Sequence, residues 1–343
     1  YTVCLGMGFS WKMALTAIFI EGILFILLTV TNVRKLIVDA IPMNLKRAIG
    51  AGIGLYIAFI GLKSAGIIVS SEATSVTLGN LGDKTVILAL AGLVITSVLV
   101  ITKVRGGMLL GIIATTLIGI PMGVTHYGGI VSTPPSISEI FCQFEWGRIF
   151  SWDMLVVVFT FLFIDMFDTI GTVVGVSVKS GMVDEKGNVD GINRVLMADS
   201  VATVAGAMFG TSTTTTYIES ASGVSEGGRT GLTSFVIALC FAVALFFSPI
   251  FLAIPGAATG PVLFIVGVMM MSPVKDIDWG DYSESIPAFV TMLLMPLAYS
   301  ISDGIMLGMI SFVLLNAISG KFRKISVMMW ILALLFILRY ILV

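Results

Sequence analysis

Two carboxylates stand where the surrounding chain is hydrocarbon-like. Asp168 lies inside Phe161-Leu-Phe-Ile-Asp-Met-Phe-Asp-Thr-Ile-Gly171, and Glu219 follows Thr213-Thr-Thr-Thr-Tyr-Ile218. An ionisable group at membrane depth costs about 3 kcal/mol or more, so it normally faces a cavity and serves a function. An ionised carboxylate accepts hydrogen bonds, and a protonated one also donates. Two such groups suit a cargo that presents N–H donors, or a proton that travels with the cargo.

The residues around them fit a site. Thr213 to Thr216 favour extended backbone, and their hydroxyls compete for the backbone hydrogen bonds a helix needs. Glu219-Ser-Ala-Ser-Gly223 can then open a helix, where the positive end of the dipole favours a carboxylate. The expected local structure is a short strand breaking into a helix, with backbone N–H and C=O groups exposed to a cavity, the one place a membrane tolerates them. Close packing of a Ser/Thr-rich helix would explain the small residues but not Glu219. Asp165 lies three residues before Asp168, nearly on the same helix face. It either supports the site or bonds a neighbouring threonine for packing. Gly171 and Gly175 leave room for a neighbouring helix or a ligand. Glu21 is a third intramembrane acid, read as a structural partner to a polar group in the core. Asp199 reads as a cap or an intramembrane contact, and Asp303 as a turn or cap residue.

Composition sets the class. Of the 343 residues, 57% are hydrophobic and 11% are charged, and the mean hydropathy is +1.07. Soluble domains carry about 25% charged residues, so a polytopic membrane protein is expected. A net charge of −1 argues against a nucleic-acid partner. Cys4, Cys142 and Cys240 form no CxxC pair and read as small buried hydrophobes. The single His126, placed in a loop, cannot anchor a metal cluster. No metal or cofactor is expected, and no nucleophile elbow or metal spacing suggests an enzyme.

The elements that must position the acids are apolar runs long enough to cross a bilayer. They fall at 12–32, 47–69, 85–102, 107–124, 152–178, 195–210, 230–253, 258–273, 286–301 and 303–320. Residues 325–343 can span or lie flat. The chain begins Tyr1-Thr-Val-Cys-Leu-Gly, without Met, and reads as a fragment that lost N-terminal helices. Arg34, Lys35, Lys46 and Arg47 fall in one loop, and Lys103 with Arg105 falls two crossings later. Lys179, Lys186 and Arg194, then Lys275, then Lys321, Arg323 and Lys324, continue the alternation, which puts these loops in the cytoplasm. Gly107-Met-Leu-Leu-Gly-Ile-Ile113 resembles Gly304-Ile-Met-Leu-Gly-Met-Ile310, and the charge rule runs the two spans in opposite directions. That is the pattern of an inverted-topology repeat.

Phe167-Asp-Thr-Ile-Gly-Thr172, the threonine stretch into Glu219-Ser220, and Gly223-Val-Ser-Glu-Gly-Gly-Arg-Thr-Gly231 together resemble the nucleobase–cation symporter-2 superfamily. More narrowly, they resemble its adenine/guanine/hypoxanthine permeases, over essentially the whole chain. The resemblance implies an all-α polytopic membrane protein with the 7+7 inverted-repeat fold, core and gate domains, and short strands in half-helices. It implies first-repeat core at 1–35, first-repeat gate helices at 36–125 and an extracellular loop at 126–151. The second-repeat core with the substrate site would be 152–253, and 254–343 the second-repeat gate helices and C-terminal apolar segment. Asp168 matches the family's acid on the eighth segment and Glu219 its acid on the tenth. Thr215, Thr216, Tyr217 and Ile218 match the backbone recognition segment, with Asp165, Thr169 and Ser220 in support. The first two segments and part of the third have no counterpart here, so the fragment itself is not expected to transport, whereas a full-length parent would.

The implied activity is import of a purine nucleobase (hypoxanthine, guanine or adenine) by proton symport in a cell membrane, with Asp168 or Glu219 carrying the proton. A uracil or xanthine permease, or Na+ coupling, is the alternative, and a channel the more distant one. A homodimer through the gate domain is compatible with this reading.

Overall fold

The apolar runs become helices because the bilayer interior offers no partner for an unpaired peptide group. The computed structural model describes residues 4, 9–134, 136–147, 149, 151–184, 189, 191–217 and 219–342. In chain order the helices are α1 (Trp11–Val30), α2 (Val33–Ala40), α3 (Met43–Ser64), α4 (Lys84–Ile101), α5 (Gly107–Met122), α6 (Trp152–Ser180) and α7 (Ile192–Met208). There follow α8 (Ser220–Ser225), α9 (Gly231–Ala244), α10 (Ser248–Leu252), α11 (Gly256–Met270), α12 (Tyr282–Leu297), α13 (Ile301–Ile318) and α14 (Val327–Leu342). Six helices among the described residues are long and apolar enough to cross a membrane by themselves. The run expected at 230–253 is broken after Ala244, and α10 restarts at Ser248 with Pro249 in its first turn.

The chain forms two units. One comprises residues 1–53, 136–218 and 273–343; the other comprises 54–135 and 219–272. In the first, α1 packs against α7 and α6, α12 against α13, and α14 against α13 and α2. Its apolar packing includes Met13, Ala17, Met154, Val157 and Val158. In the second, α4 packs on α5 and α11, around Ala65, Leu88, Ala89 and Ala257. A two-stranded antiparallel hairpin, β1 (Ile68–Ser71) with β2 (Ser75–Leu78), occupies a loop where no strand was expected.

The internal repeat reappears as a packing motif. In the second unit, a Cβ added at Gly111 of α5 would meet the Thr96 side chain of α4. In the first, a Cβ at Gly308 of α13 would meet the Thr291 side chain of α12. Gly111 and Gly308 occupy the same place in the two similar heptapeptides. Each facing threonine turns its hydroxyl back onto a carbonyl of its own helix, Thr96 to Gly92 at 2.8 Å and Thr291 to Pro287 at 2.8 Å. The hydroxyl is thereby satisfied, and the glycine lets the two backbones approach, the usual means of helix association in lipid.

Several expectations are corrected by burial. Arg34 is not in a solvated loop: it lies in α2 with no exposed surface, and Lys46 in α3 is 1% exposed. The short loop between α1 and α3 winds into a helix that turns Arg34 inward, where Asp199 pairs with it. Cys142 and Cys240 are exposed rather than buried. Cys240 sits on α9, which buries none of its residues within the protein. In the stretch expected to span or lie flat, α14 buries Met329, Leu332, Ala333 and Phe336. Phe336 meets Phe167 edge-on, with ring centroids 4.7 Å apart. Arg339 of α14 pairs with Asp303 at 3.0 Å, and the Tyr340 hydroxyl donates to the same carboxylate at 2.8 Å. Asp303 is therefore an ion-pair partner in the first turn of α13, while Ser300 takes the capping role and accepts from the Asp303 N–H at 3.1 Å.

Candidate functional site

The threonine stretch leaves the helix, as its residue types require. Residues 211–217 are neither helical nor paired in a ladder. Their hydrogen bonds go instead to side chains of neighbouring helices. Asp199, buried on α7, accepts from the Thr216 backbone N–H at 3.2 Å. Thr203, one turn further along α7, donates to the Thr214 carbonyl at 3.0 Å. The Thr215 hydroxyl meets the Thr169 hydroxyl of α6 at 2.7 Å, and Thr169 also lies 3.4 Å from both Asp199 oxygens. An extended segment without strand partners is thus pinned on both flanks.

Asp199 is held in turn. Arg34 of α2 donates to its Oδ2 at 3.0 Å, with side-chain exposures of 0% and 1%. The other guanidinium nitrogen donates to Ser200 Oγ at 2.8 Å and to the Leu196 carbonyl at 3.2 Å. The guanidinium also stands 4.3 Å over the Phe25 ring. A fully desolvated pair survives only when its remaining donors and acceptors are met, and here several are. Sequence reasoning placed Arg34 outside the membrane and gave Asp199 only a capping or contact role. The available signal was Asp199 itself, an acid inside an apolar run, which calls for a cation on a facing helix.

Beside this network lies an open hollow of about 500 Å³ lined by Arg194, Ala198, Asp199, Ala202 and Thr214 to Thr216. That volume suits a small-molecule site. Thr214 to Thr216 form part of its lining, held there by Asp199, Thr203 and Thr169.

The structure brings Thr169, Thr215 and Thr216 together around Asp199. Asp168 goes elsewhere. Its Oδ1 accepts from the Ser302 N–H at 3.0 Å, so it caps the start of α13 from a neighbouring helix. Asp165, 8% exposed, has an Oδ2 with no hydrogen-bond partner. Glu21, fully buried on α1, has none at either oxygen, although the Thr213 side chain is among its neighbours. Tyr217 is 69% exposed. Ile218 lies outside the described residues. Glu219 is exposed directly before α8, whose first residue is Ser220, and both belong to the second unit.

Outside the spans, Asp281 caps α12 by accepting from the Ser283 N–H at 3.0 Å. Bonds from Lys321 and Ser283, then Lys324, hold its carboxyl well below the usual carboxylate range. The same contact with Asp281 pushes Lys324 up.

A family model described as Permease family matches residues 1–336. The adenine permease AdeP of Escherichia coli is 41% identical over 339 residues, covering 99% of this chain and 76% of its own length. The guanine/hypoxanthine permease PbuO of Bacillus subtilis is 44% identical over 340 residues, covering 97% and 78%. Among solved structures, the transmembrane domain of the cyanobacterial bicarbonate transporter BicA superposes with a TM-score of 0.56 at 17% identity, over 87% of this chain and 76% of that one. The likeness to BicA concerns the fold, the 7+7 inverted-repeat architecture.

Proposed function

The chain belongs to the Permease family, a multi-pass membrane transporter and not an enzyme, and from that premise we propose that it imports a purine nucleobase driven by a proton gradient. The observation that carries this reading is the non-helical Thr214–Thr216 segment lining the hollow, where Asp199 and Thr203 hold it in place. A purine is planar, with N–H donors and N and O acceptors around its rim. Backbone N–H and C=O groups are rigid, and reading a rim with them costs little ordering on binding. Relatives at 41% and 44% identity carry adenine and guanine/hypoxanthine in their names, which supports the substrate class.

In this proposal Thr215, Thr216, Tyr217 and Ile218 read the edge of the base, and Asp168 and Glu219 accept from its N–H groups. Thr169, Asp165 and Ser220 support them. Asp168 offers its carboxylate while its Oδ1 also holds the start of α13, so base binding and the position of α13 become linked. The core and gate division at 1–35, 36–125, 126–151, 152–253 and 254–343 belongs to the same proposal.

Uptake of radiolabelled adenine, guanine and hypoxanthine into proteoliposomes of the full-length protein tests it, with unlabelled bases, uracil and xanthine as competitors. Unlabelled adenine, guanine and hypoxanthine should compete, and uracil and xanthine should not. Asp168→Asn and Glu219→Gln should each abolish uptake. Wild-type rates in either variant remove that residue from the site, and uptake blocked only by uracil or xanthine replaces the substrate class.

A further inference from the structure

Among the described residues, Glu21 and Asp165 are the buried carboxylates that carry oxygens without a donor. Both Glu21 oxygens and Asp165 Oδ2 are unpartnered, at residue exposures of 0% and 8%. They project from α1 and α6, two helices of the same unit packed against each other, and their charges interact. The groups that face them are few. Arg34 of α2 acts on both; its two terminal guanidinium nitrogens bond Asp199, Ser200 and the Leu196 carbonyl, while its Nε is buried without a partner. Asp199 of α7 adds a further negative charge, and Asp168 adds one toward Asp165. Thr213 is the neighbouring hydroxyl on Glu21. Asp303 and Arg339 act on Asp168. A fully buried charge left without partners costs several kcal/mol, and an acceptor without a donor costs about 1–3 kcal/mol. A protein keeps such an arrangement where a cation fills it.

We infer that Glu21 and Asp165 together seat the coupling proton. One proton on either carboxyl forms an O–H···O bond to the other, removing one negative charge and satisfying two of the orphaned oxygens at once. The proton arrives from the outer solution and leaves to the inner one, and no covalent bond changes apart from O–H. The seat adjoins the base site physically: Asp165 stands three residues before Asp168, and Thr213 precedes the stretch that Asp199 pins open. This inference rests on the proton-driven reading above and places the proton on this pair rather than on Asp168, whose Oδ1 already caps α13.

The test reconstitutes wild type, Glu21→Gln and Asp165→Asn in vesicles with radiolabelled hypoxanthine, adenine and guanine. A gradient of about two pH units can concentrate cargo about a hundredfold per coupled proton, since one unit is 1.36 kcal/mol. Wild type should approach that ratio, and both variants should fall to about unity. Base-for-base exchange, which needs no net proton movement, should fall far less in Glu21→Gln. Infrared difference spectra between acid and alkaline buffer should show a protonated-carboxyl C=O band in wild type that Glu21→Gln removes. Melting temperatures check folding, and the amide of Glu21→Gln can donate to Asp165, so that variant should not melt earlier. Retained pH-driven accumulation in both variants overturns the inference. So does equal loss of exchange and accumulation in well-folded Glu21→Gln, a missing carboxyl band, or accumulation that follows Na+ instead of pH. If wild type moves no purine, the proposed function falls, while the infrared band still decides whether the pair holds a proton.

Discussion

Asp199 receives hydrogen bonds from Arg34, Thr169 and the Thr216 N–H, so three separate segments depend on one buried side chain. Removing it leaves the Arg34 guanidinium uncompensated at zero exposure. Breaking a buried pair from one side costs about 3–5 kcal/mol, and the Thr216 N–H loses its acceptor as well. Asp199→Ala should therefore lower thermal stability in detergent by an amount in that range and abolish purine uptake. Arg34→Met with Asp199→Leu should recover much of the stability, because well-packed apolar replacements of a buried pair are often neutral, but not the uptake, because Thr216 is no longer held. A single variant that melts like wild type would contradict the burial. The presence of an acid in the run 195–210 was plain from the sequence, but its partner was not. Arg34 read as cytoplasmic because charge counting treats every basic residue near a helix end alike, and only the inward turn of α2 distinguishes it from Lys35.

At the scale of elements, the helices followed from apolar length, and their joints from Gly, Pro and Ser. The contact between Gly308 and Thr291 repeats the one between Gly111 and Thr96, so the heptapeptide similarity has a packing meaning. The start of α12 has a different anchor. Asp281 bonds Lys321 at 2.9 Å and Lys324 at 3.1 Å, tying α12 to the turn before α14. Its carboxyl is held below the ordinary range, so the unfolded chain binds its proton at higher pH than the folded one does. The contribution is thus fully present above the unfolded value near 4 and is lost as pH falls through the lower folded value. Melting curves of wild type and Asp281→Asn should differ at neutral pH and converge in strong acid. A constant offset throughout would remove the carboxylate's charge from the explanation. The hairpin of β1 and β2 and the break after Ala244 were not foreseen. Alternation over four residues is too short a signal beside a long apolar run, and Pro249 lay inside a stretch whose hydropathy alone favoured continuation.

For the molecule as a whole, the site proposed at the non-helical segment would have a kinetic signature. Cargo must be bound and released by a moving structure, so uptake saturates with substrate concentration. Initial rates in proteoliposomes should level off and respond to a protonophore, and exchange of Na+ for K+ should leave them unchanged. Rates rising linearly without limit would indicate a channel.

Composition alone established a polytopic membrane protein, because so few charges and so much apolar surface admit no other solvent. Residue types alone established that the threonine stretch leaves the helix and that acids lie at depth, since β-branched hydroxyl residues and buried carboxylates each have local costs that do not depend on distant contacts. Which acid meets which partner was settled by the tertiary structure. Asp168 on a helix start, Asp199 on an arginine, and Glu21 and Asp165 with oxygens left without a donor are outcomes of helix rotation and of the inward turn of α2. Electrostatic energy depends on the distance between groups far apart in the chain, and that distance is written nowhere in the local pattern.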